Sequence, residues 1–157
     1  PALLELGAPL IVSHMFVFYF GIMADLTPPV ALAAFAAAPI AKESGMKIGF
    51  QAMRIAIAGF IIPFMAVYSP ALMLQGGTWW DTSYVVFKAL VAIALWGCTA
   101  IGFWLAPLNW FERLWAFVAA AFLVLALPIS DEIGLGMAAA LVVWHVLRAR
   151  NYKKAAA

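Results

Sequence analysis

The chain has 157 residues, of which 68% are hydrophobic and 10% charged, with a formal net charge of +2 and a mean hydropathy of +1.05. This balance excludes a soluble globular protein and predicts an all-α integral membrane protein with room for about five crossings of about 20 apolar residues each. No nucleic-acid partner is expected, and the single cysteine, Cys98, excludes a disulfide framework or a cysteine metal site within the chain.

In chain order, Ala2 to Leu6 resembles the tail of a helix, stopped by the turn signal Gly7-Ala8-Pro9. Nothing here has the basic flank and cleavage pattern of a signal peptide, and, starting mid-pattern at Pro1, the sequence reads as the C-terminal piece of a longer protein. An apolar segment follows from about Pro9 to Ala24, too short at 1.5 Å per residue to span a hydrocarbon core about 30 Å thick. Asp25-Leu26-Thr27-Pro28-Pro29-Val30 then interrupts the apolar run. Tandem prolines stop one helix and allow another to start. The pattern predicts Thr27 as an N-cap, Pro28 at the first helical position, and an alanine-rich half-helix over Val30 to Ala41. The two halves together make one crossing, broken inside the membrane.

Lys42 to Gly45 is predicted as a polar turn, and Met46 to Arg54 as an interfacial segment. Ile55 to Leu74 is the second crossing, with kinks at Pro63 and Pro70. Gln75 to Ser83 is predicted as a loop, with Trp79 and Trp80 as interface anchors. Tyr84 to Leu105, Phe111 to Leu127 and Ile133 to Leu147 are the remaining crossings, joined by turns at Ala106 to Asn109 and Pro128 to Glu132. The chain thus divides into segments 1–41, 42–75 and 76–157. Lys42, Lys47, Arg54, Arg113 and the tail cations Arg148, Arg150, Lys153 and Lys154 fall on one side, and Asp81, Asp131 and Glu132 on the other. Lys88 is the exception, near enough to a helix end to snorkel. The positive-inside rule then places the C-terminus in the cytoplasm.

The break joins two opposite dipole ends. Free carbonyls of about Gly21 to Ala24 suit a cation, and free N–H groups near Val30 and Ala31 suit an anion. In transporters such breaks bind ions and solutes. The candidate ion and substrate site is therefore Gly21, Ala24, Asp25, Thr27, Pro28, Pro29 and Val30, with Na⁺ at Ala24, Asp25 and Thr27. Asp25 could ligate the cation, carry a proton or cap the second half-helix, and Thr27 could serve as a cap alone. His14 and His145 are expected as hydrogen-bonded packing residues, and the aromatics, Trp96, Trp104, Trp110, Trp115 and Trp144 among them, mostly as lipid-facing or interfacial ones. No cofactor is expected. The absence of a phosphate loop, nucleophile elbow or paired catalytic carboxylates argues against an enzyme.

The run from Pro1 through Gly7-Ala8-Pro9, the aromatic segment His14 to Gly21, and Thr27-Pro28-Pro29-Val30 carry a family resemblance. Over about residues 1 to 75 the chain resembles the C-terminal end of the large permease of tripartite ATP-independent periplasmic (TRAP) transporters. Phe16 to Phe20, Ala24 to Leu32 and Arg54 to Tyr68 look like the fused permeases that work with TAXI-type binding proteins. From Gly76 onward the likeness rests on the extra C-terminal spans of such permeases. The resemblance implies a Na⁺-driven (less favoured, H⁺-driven) importer of an organic anion, usually a carboxylate. It also implies a bacterial inner-membrane location, a periplasmic TAXI-type binding protein and a missing N-terminal part of the permease as partners. Ala2 to Leu6 becomes the trailing arm of a re-entrant hairpin, Pro9 to Ala41 the broken helix, and Ala24 to Pro29 the ion-coordinating stretch. Many family members carry a glycine and an aliphatic residue where Ala24 and Asp25 stand here. A rival reading is a non-catalytic membrane anchor or assembly subunit in which the break is only structural, and a membrane redox enzyme would require a bound chromophore.

Overall fold

The computed structural model describes residues 2–125, 127 and 129–155. Pro1 and Pro128, which the sequence reading uses at the start of the chain and in a turn, lie outside the described residues, as do the side chains of Lys153 and Lys154. The chain forms two units, Pro1–Thr82 and Ser83–Ala157.

The first unit is built around the broken helix. Helix α1 (Ala2–Glu5) ends at Gly7, whose φ of 85° suits a residue without a Cβ. Helix α2 (Leu10–Met23) runs into a 3₁₀ turn (Ala24–Leu26), and helix α3 (Leu32–Ala41) follows the Pro28–Pro29 turn, whose peptide bond is cis. Lys42 closes α3 in the left-handed region, and Ser44 Oγ accepts from the Lys47 N–H to start helix α4 (Gly45–Ile55). Helix α5 (Ile57–Tyr68) turns away from α4 by 45°. It packs back on α2 through Phe16, Phe20, Phe60 and Phe64, whose rings meet at 4.9 to 6.2 Å in tilted and edge-on pairs.

Two local expectations are corrected in this unit. The bend of the second crossing falls at Ala56, which has left helical geometry (φ −81°, ψ 7°), rather than at Pro63 inside α5. Met46 to Arg54 lies in α4, an amphipathic helix that leads into α5 through this bend. Pro70 does not kink that span: α5 ends at Tyr68 and Pro70 opens a separate 3₁₀ turn (Pro70–Met73), a position where its missing N–H is harmless.

The second unit is a three-helix arrangement of α6 (Trp79–Ile101), α7 (Trp110–Val124) and α8 (Ser130–Ala155). Trp79 to Ser83, expected in a loop, form the first turn of α6. The cause is a cap: Asp81 Oδ2 accepts from the Thr78 N–H (2.7 Å) and hydroxyl (2.9 Å), so the helix can begin earlier than hydropathy suggests. At its other end Gly102 (φ 76°) stops α6, and the Arg113 guanidinium donates to the Thr99 carbonyl at 2.8 and 3.0 Å. The core is small-residue packing, with Ala92 and Leu95 of α6, Ala116, Ala119, Ala120 and Leu123 of α7, and Ala138 and Leu141 of α8. In an apolar solvent such close approach replaces the hydrophobic drive between helices.

Among the described residues the fold is all-α. Trp79–Ile101 and Ser130–Arg150 are long and apolar enough to cross a membrane, and the bent α4–α5 pair has the length and composition of a third crossing if it forms one span rather than a re-entrant loop. Leu10–Leu26 and Leu32–Ala41 are shorter apolar helices, the two halves of the broken element. Helix α7, the fourth of the expected crossings, has 15 residues and ends at Val124 rather than Leu127.

Candidate functional site

The break sits between the C-terminal end of α2 and the N-terminal end of α3. Thr27 does not cap α3 as predicted. Its Oγ1 donates to Met23 O at 2.8 Å and its N–H to Ala24 O at 3.1 Å, so it closes the end of α2 instead. The reason is distance along the chain. Pro28, Pro29 and Val30 make a turn, α3 starts only at Leu32, and Thr27 is left out of reach of its first amides. Thr27 O in turn accepts the Ala31 N–H at 3.0 Å. The carbonyls of Ile22, Met23 and Ala24 and the amide of Ala31, all expected to be free, are thus engaged, although a carbonyl oxygen keeps a second lone pair. The amides left without an intrahelical acceptor are those of Leu32, Ala33 and Ala34, at the start of α3.

Ala31, fully buried, holds φ 35° and ψ 45°, a left-handed conformation costly for any residue with a Cβ. Strain of this kind persists only where surrounding packing imposes it. Part of that packing comes from α4: a Cβ added to Gly49 would meet the Pro28 ring at 2.8 Å and the Ala31 methyl at 3.4 Å. Gly49 is therefore a structural determinant of the break that the sequence reading missed. Its signal was a glycine in an otherwise amphipathic helix, which often marks a close approach.

Beside the break lies a recess of about 380 Å³, lined by Phe20 and Met23 of α2, Phe60 of α5, and Ala24, Thr27, Pro28, Pro29 and Val30. Five of the seven residues named from the sequence meet there. Gly21 and Asp25 do not line it: Gly21 has open space around it, and Asp25 is exposed, with no hydrogen bond or ion pair among the described residues. No group of three or more His, Cys, Asp or Glu side chains that could hold a metal occurs among the described residues. Any cation at the break would take its ligands from carbonyl and hydroxyl oxygens, with Asp25 as the one nearby carboxylate. His14, expected to be a hydrogen-bonded packing residue, is exposed and makes no such bond.

A family model described as the DctM component of the tripartite ATP-independent periplasmic transporter matches residues 1–80. The chain belongs to this family. The match takes in the broken helix, its recess and the whole of α4 and α5, so the break is part of a TRAP permease. Neither a curated protein nor a solved structure matches the chain.

The second unit lies beyond the matched residues, and it holds buried charges that the sequence did not reveal. Lys88, 4% exposed, does not snorkel: its Nζ donates to both oxygens of Asp131 at 3.0 and 2.9 Å. Glu112, 1% exposed, binds Arg148 Nη1 at 2.8 Å, accepts the Asn109 N–H at 3.0 Å, and faces His145 Nδ1 at 3.4 Å. Arg148 also donates to the Pro107 carbonyl. Each of these buried charges has an opposite partner, as a membrane interior demands. Nor do all the tryptophans face lipid or interface. Trp96 and Trp115 bury their indole N–H groups, and Trp104 stacks on His145 with centroids 5.3 Å apart.

Proposed function

We propose that this chain is the C-terminal part of a TRAP permease that imports an organic anion, a carboxylate, on a Na⁺ gradient, and that the Thr27 break forms part of the ion and solute site. The observation that carries this reading is the recess at the break, lined by Met23 and Ala24 at the end of α2 and by Thr27, Pro28, Pro29 and Val30 of the turn that leads to α3, within the family-matched segment. The α2 end offers carbonyl oxygens to a cation and the α3 end offers amides to a carboxylate. In this reading residues 1–41 are the hairpin arm and broken helix of the transport domain, 42–75 a following span, and 76–157 a C-terminal bundle with a cytoplasmic tail. The permease lies in the bacterial inner membrane, and its remaining partners are its own N-terminal part and a binding protein of the TAXI type in the periplasm. The transporter family is not an enzyme class, and no catalytic step is assigned.

The test is uptake of labelled organic carboxylates into proteoliposomes holding the full-length parent and its binding protein, with and without an inward Na⁺ gradient. Thr27→Val should lower Na⁺-dependent uptake by about tenfold or more, the loss of one hydrogen bond to a charged group, while Thr27→Ser should retain it. Normal uptake by a well-expressed Thr27→Val permease would favour the anchor reading, with the break purely structural. Uptake indifferent to Na⁺ would shift the coupling to protons and to Asp25.

A further inference from the structure

The second unit gathers most of its cations at one end, where nothing in its own sequence balances them. Arg113 lies in the first turn of α7, and Arg148, Arg150, Lys153 and Lys154 lie in the last two turns of α8. Glu112 is the one acid at this end, and it is buried against Arg148. The unit's other acids, Asp131 and Glu132, stand at the start of α8, away from this end. The depth of the cationic end is marked independently. The apolar span of α8 stops at Arg150 while the helix runs on to Ala155, so the cations straddle the level where hydrocarbon gives way to headgroups. Trp110 and Tyr152, both exposed, are amphipathic rings of the kind that settle at that level. A recess of about 400 Å³ opens there, bordered by Pro107 and Asn109 of the α6–α7 connection and by Arg148 and Tyr152 of α8.

We propose that this end of the bundle binds an anionic phospholipid, with the phosphate headgroup seated in the recess beside Arg148. Glu112 cancels the charge of Arg148, so the attraction comes from Arg113, Arg150, Lys153 and Lys154. Arg148 still has N–H donors beyond those that Glu112 and the Pro107 carbonyl engage. Compensation of the α8 dipole does not account for the surplus, since a helix end carries only about half a charge. A lipid suits the place better than a soluble anion: Trp144 and Leu147, within about a turn of Arg148, expose apolar side chains that acyl chains would cover.

The experiment is equilibrium binding of labelled phosphatidylglycerol and phosphatidylcholine to the whole chain in uncharged detergent, with inorganic phosphate as the soluble competitor. The expected result is phosphatidylglycerol binding at least about tenfold tighter at low ionic strength, a preference that shrinks severalfold in about 1 M salt. Inorganic phosphate at the same phosphate concentration should not displace the lipid. Arg150→Gln/Lys153→Gln/Lys154→Gln, which leaves the Glu112–Arg148 pair in place, should cut the preference to about twofold. The charge-keeping variant Arg150→Lys/Lys153→Arg/Lys154→Arg should retain it. In the unaltered chain the Arg148 guanidinium and Tyr152 ring resonances should shift with phosphatidylglycerol and not with phosphatidylcholine, a readout independent of whether a variant folds. Equal affinity for the two lipids, displacement by inorganic phosphate, a preference that survives the glutamine variant, its loss in the charge-keeping variant, or unmoved Arg148 resonances would each overturn the proposal.

Discussion

Lys88 shows what a single residue in this chain has to satisfy. It lies well inside α6, and an ammonium there is tolerated only because Asp131 meets it with both oxygens. Lys88→Met leaves a carboxylate that is 17% exposed without its partner, and should cost about 2–3 kcal/mol in thermal unfolding of the detergent-solubilised protein. The double variant Lys88→Met/Asp131→Asn should recover to within about 1 kcal/mol of the parent, since removing both charges removes the penalty as well as the bond. A double variant no better than the single one would mean that Lys88 acts through another contact. The pairing was not legible in the sequence, because its members stand 43 positions apart and only tertiary structure brings them together. The position of the Thr27 break, by contrast, could be read directly, since tandem prolines inside an apolar run leave few alternatives. The direction of its hydroxyl could not, because it depends on where α3 begins.

At the scale of elements, α4 governs the break from outside it. The close approach of Gly49 to Pro28 predicts that Gly49→Ala forces α4 away from the turn, since a proline ring cannot swing aside. Uptake by the full-length parent should fall at least about tenfold, and stability by about 1–3 kcal/mol from overpacking. Gly59→Ala is the control. The atom its Cβ would meet at 2.4 Å is the terminal methyl of Met23, the far end of a flexible side chain, so this variant should express and transport near the parental level. Equal losses in both would show that α2–α5 packing is as unforgiving as the break. Helix existence was readable from hydropathy in every segment, while the ends were decided by capping groups: Thr78 with Asp81 lengthened α6 forward, and Gly102 with Arg113 stopped it.

At the scale of the whole molecule, the family match and the contact structure divide the chain at nearly the same place, residue 80 against Thr82. The sequence reading could assign a role to the first part because its break has a recognised chemistry, and it left the second as a plain bundle because its few polar groups stand far apart in the chain among long apolar runs. In that bundle α8 is held near its start to α6, by Asp131, and further along to α7, by His145 and Arg148. One added alanine between Asp131 and His145 would rotate everything beyond it by about 100° and advance it by about 1.5 Å, so only one attachment could be kept. Its melting temperature should fall as far as that of Lys88→Met, whereas an alanine added after Arg150 should change little. The stretch between the two attachments therefore works as a gauge block. Its apolar letters can be exchanged for others of like size, but its count of residues is fixed by the two locks it has to reach at once.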